Sequence, residues 1–285
     1  LKFIGTATIG FDHIDTQFCG RNNIFWTNAP GCNSSSVQQY VIAALLKTAQ
    51  EYGFSLKDKT LGIIGVGNVG SKVERFGKLM GMNVLLNDPP RARKEGRKDF
   101  VNLSDLLRAS DIVTLHVPLN VVGRDSTYHM FDEKRLAKIK KGALLLNTSR
   151  GEVIETNALK KALSEGWLKG AVIDVWENEP DIDTGLLSLV NTATPHIAGY
   201  STDGKANGTS KIVNSLCEFF KLPLKDWYPP DVPAPSSPVI TIECAGKTDE
   251  DIIREAVFHS YDISIDDSDL RSDPSMFEKL RGDYS

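Results

Sequence analysis

The sequence has little of what marks secreted, membrane or nucleic-acid-binding proteins. Its 285 residues include four cysteines, none in a C-x-x-C pair or at metal-ligand spacing from a histidine, which favours reduced thiols over a disulfide framework. No apolar run approaches the roughly 20 residues of a membrane span, and no signal peptide is recognisable after Leu1. The net charge is only −4, so we expect no basic surface for nucleic acid. These absences favour a cytoplasmic protein that binds neither nucleic acid nor a membrane.

Length and composition are those of an ordinary globular protein. At 285 residues the chain is longer than one core usually supports, which predicts about two domains. Hydrophobic residues make up 41% and charged residues 25% of the chain, which is typical of folded soluble domains. Because the net charge is small, an anionic substrate would have to be held by a few local cations.

After residue 53, the pattern of apolar and polar residues alternates between strand and helix. Several of these strands are apolar throughout, as expected when a parallel sheet is covered on both faces. The alternation predicts an α/β domain with a Rossmann-type, doubly wound parallel sheet. The predicted strands are 60–65, 83–87, 112–115, 143–147, 171–175 and 192–194, and the predicted helices are 69–80, 103–108, 132–139 and 156–165.

The segments on either side of this domain differ from it. Short strands and turns fill the first thirty residues, and a long helix begins among residues 33–36. A helix over 205–221 follows the domain and leads into a proline-rich linker. Beyond the linker, a strand at 239–244, a helix at 249–262 and an acidic tail suggest a small separate module.

Residues 65–70 have the pattern G-x-G-x-x-G, with Asn68 and Val69 before the last glycine. The pattern alone is weak, but here it follows an apolar strand and opens a helix, as a dinucleotide site requires. Gly65 would allow the tight turn, Gly67 the approach of a pyrophosphate, and Gly70 close packing of helix on strand. The start of the helix would place partial positive charge at the phosphates. A plain strand–turn–helix is the alternative.

Asp88 ends the next strand, about twenty residues beyond the glycine motif. A carboxylate there would accept hydrogen bonds from the adenosine ribose and repel a 2′-phosphate, which favours NAD over NADP. Arg91 and Arg93 weaken this preference, because a nearby arginine neutralises such a phosphate. Asp88 is otherwise a solvated carboxylate in a turn before two prolines.

Three residues satisfy the chemical demands of hydride abstraction from a 2-hydroxy acid. The reaction needs a base for the hydroxyl proton, a cation for the substrate carboxylate and a group that orients the base. Arg150 follows a predicted strand and can grip a carboxylate with two hydrogen bonds. Glu179 and His196 follow the next two strands, and a carboxylate against an imidazole fixes its tautomer.

Each of these residues also has an ordinary explanation when considered alone. Arg150 would be an exposed loop arginine, and a lone histidine such as His196 is more often structural. His13 and His116 are weaker candidates for catalysis, although His116 follows a strand and is placed to line a cofactor cleft. His129 and His259 are expected at the surface or in packing. The case for the set therefore depends on the three residues occurring together.

These motifs together resemble those of the D-isomer-specific 2-hydroxyacid dehydrogenases. The resemblance covers residues 65–70 with Asp88, and the segments 147–151, 174–180 and 195–199. It implies that His196 is the acid/base, Glu179 its partner and Arg150 the carboxylate anchor. The cofactor contacts that it implies are Gly65, Gly67, Asn68, Val69, Gly70, Asp88, Val117, Thr148, Ser149, Arg150, Asp174 and Gly199, with Asp174 toward the nicotinamide carboxamide.

Other segments resemble the erythronate-4-phosphate dehydrogenase branch of that family. They are residues 5–8 followed by Asp12 to Asp15, and the segments 28–33, 88–91 and 196–200. Members of this branch oxidise 4-phospho-D-erythronate on the way to pyridoxal 5′-phosphate, with NAD as cofactor. The resemblance implies substrate contacts at Thr8 and Tyr200, and a homodimer.

The resemblance also implies a domain organisation. Residues 1–33 would be a remnant of the substrate domain and residues 34–204 the NAD-binding domain. A helix and linker over 205–228 would return to the substrate domain, and residues 229–285 would be part of a dimerisation domain. The chain opens at Leu1 without an initiator methionine, and the start of the substrate domain is expected to precede it.

Two other functions are compatible with the sequence. One is a sibling dehydrogenase that acts on phosphoglycerate, glyoxylate or hydroxypyruvate, against which Tyr200 and residues 28–33 argue. The other is an NAD-sensing co-repressor that binds protein partners on the same scaffold. The presence of Arg150, Glu179 and His196 together argues against the second.

Overall fold

The predicted alternation of strands and helices is present in the computed structural model, which describes residues 1–11, 13–96, 99–235 and 237–284. Asp12, from one of the motifs above, lies outside the described residues. The strands are β1 Phe3–Gly5, β2 Phe25–Thr27, β3 Thr60–Ile64, β4 Asn83–Asn87, β5 Ile112–Leu115, β6 Ala143–Asn147, β7 Leu168–Ile173 and β8 Thr192–Ala193. The helices are α1 Thr16–Arg21, α2 Ser34–Tyr52, α3 Gly70–Leu79, α4 Pro89–Glu95, α5 Leu103–Ala109, α6 Glu133–Leu136, α7 Thr156–Ser164, α8 Thr184–Leu187, α9 Thr202–Phe220, α10 Asp249–Ser260, α11 Ile263–Ser272 and α12 Phe277–Asp283.

The chain divides into two compact units. The small unit consists of residues 1–37 and 199–239, and the large unit of residues 38–198 and 240–284. No helix in the part of the chain that the structure describes has the length and apolarity needed to cross a membrane. Cys19, Cys32, Cys217 and Cys244 are all free thiols.

The large unit contains a six-stranded parallel sheet in the order β4-β3-β5-β6-β7-β8. All four residues of β5 and all five of β6 are buried, because helices cover both faces of the sheet. The chain runs outward from β3 to β4 and then returns to the other side of β3 with β5. This reversal of strand order opens a crevice at the carboxyl ends of β3 and β5, where ligands bind in such sheets.

The C-terminal residues belong to the large unit. Residues 239–244 do not form the strand predicted for them, and α10, α11 and α12 follow instead. Leu270 and Phe277 are fully buried in the same core as the sheet strands. The carboxylate of Asp267 accepts from the backbone N–H of Ala193 on β8, so α11 covers the edge of the sheet. The apolar run at 239–244 resembles a strand in sequence, but no neighbouring edge pairs with it.

The small unit is built on a two-stranded parallel sheet. β1 and β2 pair with Phe3 opposite Phe25, and the two rings stack with their centroids 5.5 Å apart. Phe219 of α9 packs on both rings, at 5.5 Å from Phe3 and 5.1 Å from Phe25. Strand β1 is short and ends at Gly5.

Candidate active site

The glycine-rich turn between β3 and α3 has the geometry that a phosphate site requires. Gly65 has φ +84°, which glycine adopts without strain. A Cβ on Gly70 would lie 2.1 Å from the carbonyl oxygen of Gly65, so only glycine lets the helix pack this closely on the strand. A Cβ on Gly67 would meet no protein atom within 4 Å, which leaves open space at that point. Val69 occupies the cap position, and no side chain caps α3.

Asp88 lies at the carboxyl end of β4 and caps α4. Its Oδ2 accepts from the backbone N–H of Val66 at 2.8 Å, and its Oδ1 accepts from the N–H of Arg91 at 3.0 Å. The first bond ties Asp88 to the glycine-rich turn, so the carboxylate faces the same crevice. Arg91 pairs with Glu95, and Arg93 pairs with Asp125, so both arginines near Asp88 have carboxylate partners.

A cavity of about 670 Å³ opens beside these residues, entirely within the large unit. Its volume lies within the range of small-molecule and cofactor sites. The residues that line it include Gly65, Gly67, Asp88, His116, Val117 and Thr127. The sequence-predicted residues Gly65, Gly67, Asp88 and Val117 therefore share one cavity wall.

These features together suit a dinucleotide. The turn at Gly67 gives a pyrophosphate room to approach the backbone, and α3 presents N–H groups that no side chain caps. Asp88 provides an acceptor for ribose hydroxyls at the distance along the chain that a dinucleotide requires. The cavity beside Asp88 and Val117 is large enough for an adenosine.

Arg150 stands on a turn that a buried asparagine holds in place. Asn147, 1% exposed at the end of β6, accepts from the backbone N–H and the hydroxyl of Ser149, and its amide donates to the carbonyl of Arg150. A Cβ on Gly151 would lie 2.0 Å from backbone atoms of Trp176, so the Arg150 turn packs directly on the loop after β7. The sequence motif included Asn147 and Gly151, but their supporting roles appear only in the structure.

Asp174 holds the loop that carries His196. Its buried carboxylate accepts from the hydroxyl of Thr194 at 2.7 Å and from the backbone N–H groups of Ile197 and Ala198 at 2.8 and 3.1 Å. Burial raises the pKa of Asp174, while the charge of His196 and these donors act to lower it. Asp174 thus has a structural task in addition to the cofactor contact that the resemblance implies.

Glu179 and His196 form a hydrogen-bonded pair. Oε2 of Glu179 lies 2.7 Å from Nδ1 of His196, and Oε1 accepts from the backbone N–H of Trp176 at 2.8 Å. His196 has φ +59°, a left-handed conformation that is strained for a residue other than glycine. Since Asp174, Glu179 and His196 come from the loops after β7 and β8, and these strands are neighbours, the sheet brings them together.

Two other histidines, His116 and His129, have hydrogen-bond partners of their own. Burial lowers the pKa of His116 to about 3, so its imidazole is neutral in the cavity wall, with Thr114 at 3.0 Å and Thr148 at 3.4 Å. His129 lies 2.6 Å from Glu177, whose other oxygen accepts from the backbone N–H of Thr156. His129 was expected at the surface or in packing, and no sequence motif indicated this second histidine–glutamate pair.

Three of the predicted site residues lie in the small unit. Thr8 is exposed and its hydroxyl donates to the carbonyl of Gly10 at 2.7 Å. A Cβ on Gly199 would lie 2.3 Å from the amide nitrogen of Asn33, which explains glycine there by close approach. The ring of Tyr200 has the ammonium group of Lys205 over it at 5.4 Å.

Comparisons with known proteins agree with this geometry. Residues 33–198 match the family model of the NAD-binding domain of D-isomer-specific 2-hydroxyacid dehydrogenases. The chain is 49% identical over 284 residues to the erythronate-4-phosphate dehydrogenase of Bacteroides fragilis, covering 100% of this chain and 79% of that protein. It is 42% identical over 287 residues to the erythronate-4-phosphate dehydrogenase of Proteus mirabilis, covering 100% and 76%.

The fold is similar to that of solved structures. The crystal structure of D-lactate dehydrogenase from Aquifex aeolicus, complexed with NAD and lactic acid, superposes with a TM-score of 0.64 at 30% identity. The similarity covers 78% of this chain and 77% of that one.

Proposed function

Because the chain belongs to the family of D-isomer-specific 2-hydroxyacid dehydrogenases, we propose that it oxidises 4-phospho-D-erythronate with NAD. The product is (R)-3-hydroxy-2-oxo-4-phosphobutanoate, an intermediate toward pyridoxal 5′-phosphate. The observation that carries the chemistry is the Glu179–His196 pair beside the Arg150 turn. The substrate rests on the erythronate-4-phosphate dehydrogenases that match the chain over its whole length.

The residues of the large unit divide the chemical work among them. NAD, when bound, accepts the hydride that leaves C2 of the substrate. Because Glu179 accepts at Nδ1 of His196, the neutral imidazole carries its proton there, and Nε2 takes the proton of the C2 hydroxyl. Glu179 stabilises the imidazolium that forms, and the guanidinium of Arg150 holds the substrate carboxylate.

The other proposed roles follow from the resemblance. Gly67 and the start of α3 hold the pyrophosphate, and Asp88 accepts from the ribose. Asn68, Val69, Val117, Thr148, Ser149, Asp174 and Gly199 are further proposed cofactor contacts, and Thr8 and Tyr200 proposed substrate contacts. We also propose a cytoplasmic homodimer in which residues 229–285 contribute to the dimer contact.

A substrate panel tests the proposal. The full chain is assayed with NAD and 4-phospho-D-erythronate, and in parallel with 3-phosphoglycerate and D-glycerate. Nicotinamide absorbance is followed, and a 2-oxo acid is added as acceptor so that tightly bound NADH is reoxidised. We expect a clear preference for 4-phospho-D-erythronate. Preference for another 2-hydroxy acid would keep the mechanism and overturn the substrate, and NADH binding without turnover of any would favour a binding module.

A further inference from the structure

Helix α2 buries one tyrosine hydroxyl against the carboxyl end of the large unit's sheet. Tyr40 is 2% exposed, and its hydroxyl oxygen lies 2.6 Å from Oγ1 of Thr194. Thr194, which is completely buried, in turn lies 2.7 Å from Oδ1 of Asp174. A chain of two hydroxyls thus connects the helix to the carboxylate that holds the His196 loop.

The direction of each hydrogen bond in this chain is determined by chemistry. An ionised carboxylate only accepts, so the single proton of the Thr194 hydroxyl is donated to Asp174. Tyr40 must then donate to Thr194, which accepts through its oxygen. Hydrogen bonds arranged in one direction polarise each other, so the Tyr40 hydroxyl strengthens the donor that faces Asp174.

Asp174 binds the backbone of the proposed base, His196, and of the two residues that follow it. Asp174 accepts from the N–H groups of Ile197 and Ala198, and its carbonyl accepts from the N–H of His196 at 2.7 Å. These bonds hold His196 at φ +59°, a conformation that its side chain does not favour. In this backbone conformation, Nδ1 of His196 lies 2.7 Å from Oε2 of Glu179.

We infer that Tyr40 is a positioning residue for the dehydrogenation, acting through Thr194 and Asp174 on the backbone of His196. The inference rests on the proposed function, since it assumes that His196 is the base. In this role, Tyr40 acts only through Thr194 and Asp174 and does not touch the reacting atoms. Through Thr194, the hydroxyl of Tyr40 helps to keep Asp174 ionised and hydrogen-bonded. Asp174 in turn holds the backbone of His196, so that the imidazole stays within hydrogen-bonding distance of Glu179.

The surroundings of Tyr40 keep its hydroxyl protonated. Burial raises the pKa of Tyr40 well above its ordinary value, and the negative charges of Asp174, Asp266 and Asp267 raise it further. Tyr40 therefore stays a donor at neutral pH. The ring of Tyr261 lies 6.2 Å from that of Tyr40, and its own hydroxyl donates to Asp266.

The pH dependence of Asp174 follows from the groups that face it. Burial raises the pKa of Asp174, whereas the charge of His196 and the hydrogen bond from Thr194 lower it. The charge of Asp174 also acts on three other titratable groups, which are Tyr40, Asp266 and Tyr284. Weakening the Thr194 bond therefore moves protonation of Asp174 to higher pH, and a protonated carboxyl holds the His196 loop less well.

Four variants of the full chain test the inference. Tyr40→Phe removes the terminal hydroxyl, and Thr194→Val removes the connecting one. Thr194→Ser keeps the connecting hydroxyl and is the conservative rescue. Tyr52→Phe is the matched control, because Tyr52 lies on the same helix and donates to the carbonyl of Lys169.

Two measurements are made on each variant. The first is exchange of the backbone amides of Ile197 and Ala198 by NMR, which needs no substrate. In Tyr40→Phe we expect about tenfold faster exchange, because the loss of one buried hydrogen bond makes local opening about that much more frequent. In Tyr52→Phe we expect no change. The second is the pH profile of NAD-dependent oxidation. In Tyr40→Phe we expect kcat to fall roughly fivefold, the KM for NAD to stay the same, and the low-pH limb to move to higher pH.

The combined results decide between positioning and ordinary packing. Thr194→Ser should behave as the wild type, and Tyr40→Phe should add nothing to Thr194→Val, because both break one chain. Wild-type amide exchange and pH profile in Tyr40→Phe, or additive effects of the two substitutions, would overturn the inference. If the wild type oxidises no 2-hydroxy acid, the proposed function fails, and the amide exchange still decides whether Tyr40 acts on the His196 loop.

Discussion

Oε2 of Glu179 lies 2.7 Å from Nδ1 of His196, and the two residues stand on loops that follow the neighbouring strands β7 and β8. The other oxygen of Glu179 accepts from the backbone N–H of Trp176, so the carboxylate is oriented before it meets the imidazole. An imidazole held in this way has one defined tautomer, with Nε2 as the proton acceptor.

Replacing His196 by alanine should abolish turnover and leave NADH binding almost unchanged. Loss of a general base lowers kcat by about 10²- to 10⁴-fold, whereas the proposed cofactor cavity lies along other residues. Steady-state kinetics and NADH fluorescence titration measure the two effects. His129→Ala is the control, since it removes the other histidine that pairs with a glutamate and should keep most of the activity. Loss of NADH binding in His196→Ala would contradict the assignment.

Glu179→Gln should lower kcat by about 100-fold, because a neutral amide no longer stabilises the imidazolium that forms on His196. The amide oxygen still accepts from Trp176, so the loop should keep its conformation. Glu177→Gln, two residues earlier, breaks the carboxylate pair with His129 and should affect kcat little. If Glu179→Gln and Glu177→Gln lowered kcat equally, Glu179 would have no specific role in the reaction.

Two glycines of the same turn should differ in their response to alanine. A Cβ on Gly67 meets no protein atom within 4 Å, so Gly67→Ala should keep the melting temperature and raise the KM for NAD about tenfold or more. A Cβ on Gly70 would overlap the carbonyl oxygen of Gly65 at 2.1 Å, so Gly70→Ala should lower the melting temperature as well. Thermal unfolding and NAD kinetics distinguish them. A wild-type KM for NAD in Gly67→Ala would show that the pyrophosphate does not bind at this turn.

Asp88→Ala should weaken NAD binding beyond what the loss of a helix cap explains. Asp88 caps α4, and removing such a cap costs about 1 kcal/mol of stability. Asp132→Ala removes the equivalent cap from α6, and Asp132 does not line the cavity. Both variants should lose similar stability, but only Asp88→Ala should raise the KM for NAD and reduce the preference over NADP. If the KM for NAD and the preference over NADP changed equally in Asp88→Ala and Asp132→Ala, Asp88 would act only as a helix cap.

Asp266→Asn should stabilise the protein at neutral and higher pH. Burial raises the pKa of Asp266 to about 6 from an ordinary 3.8. The folded state therefore binds more protons between these values, and the free energy of unfolding falls as the pH rises from about 4 to about 6. The asparagine removes this penalty and still accepts from Tyr261.

Because Asp266 is only partly buried and screened by water, the gain should be about 1 kcal/mol near pH 8 and should vanish near pH 4. Urea denaturation at the two pH values measures it. Asp181→Asn, at an exposed carboxylate, is the control and should show no such difference. An equal effect at both pH values would contradict a titration origin.

Most of the sheet was predictable because its strands are short apolar runs between helices of clear periodicity. Strands β4, β5 and β6 begin and end where predicted. Helix α4 was missed because two prolines open it, and proline is equally typical of turns. The prediction of a strand at 239–244 was wrong, because an apolar run becomes a strand only where the edge of another strand is present to pair with it.

By itself, the sequence determined the fold class and the glycine-rich turn, and it predicted Arg150, Glu179 and His196 as the site residues, because each of these depends on residue type and spacing along one stretch of chain. Only the tertiary structure decided which groups support them. Tyr40 and Thr194 are 154 positions apart in the sequence, and their contact arises because α2 packs on the end of β8. The same holds for Asp267, whose carboxylate reaches β8 from the C-terminal helices. Hydrogen bonds of this kind join distant segments, and no local pattern records them.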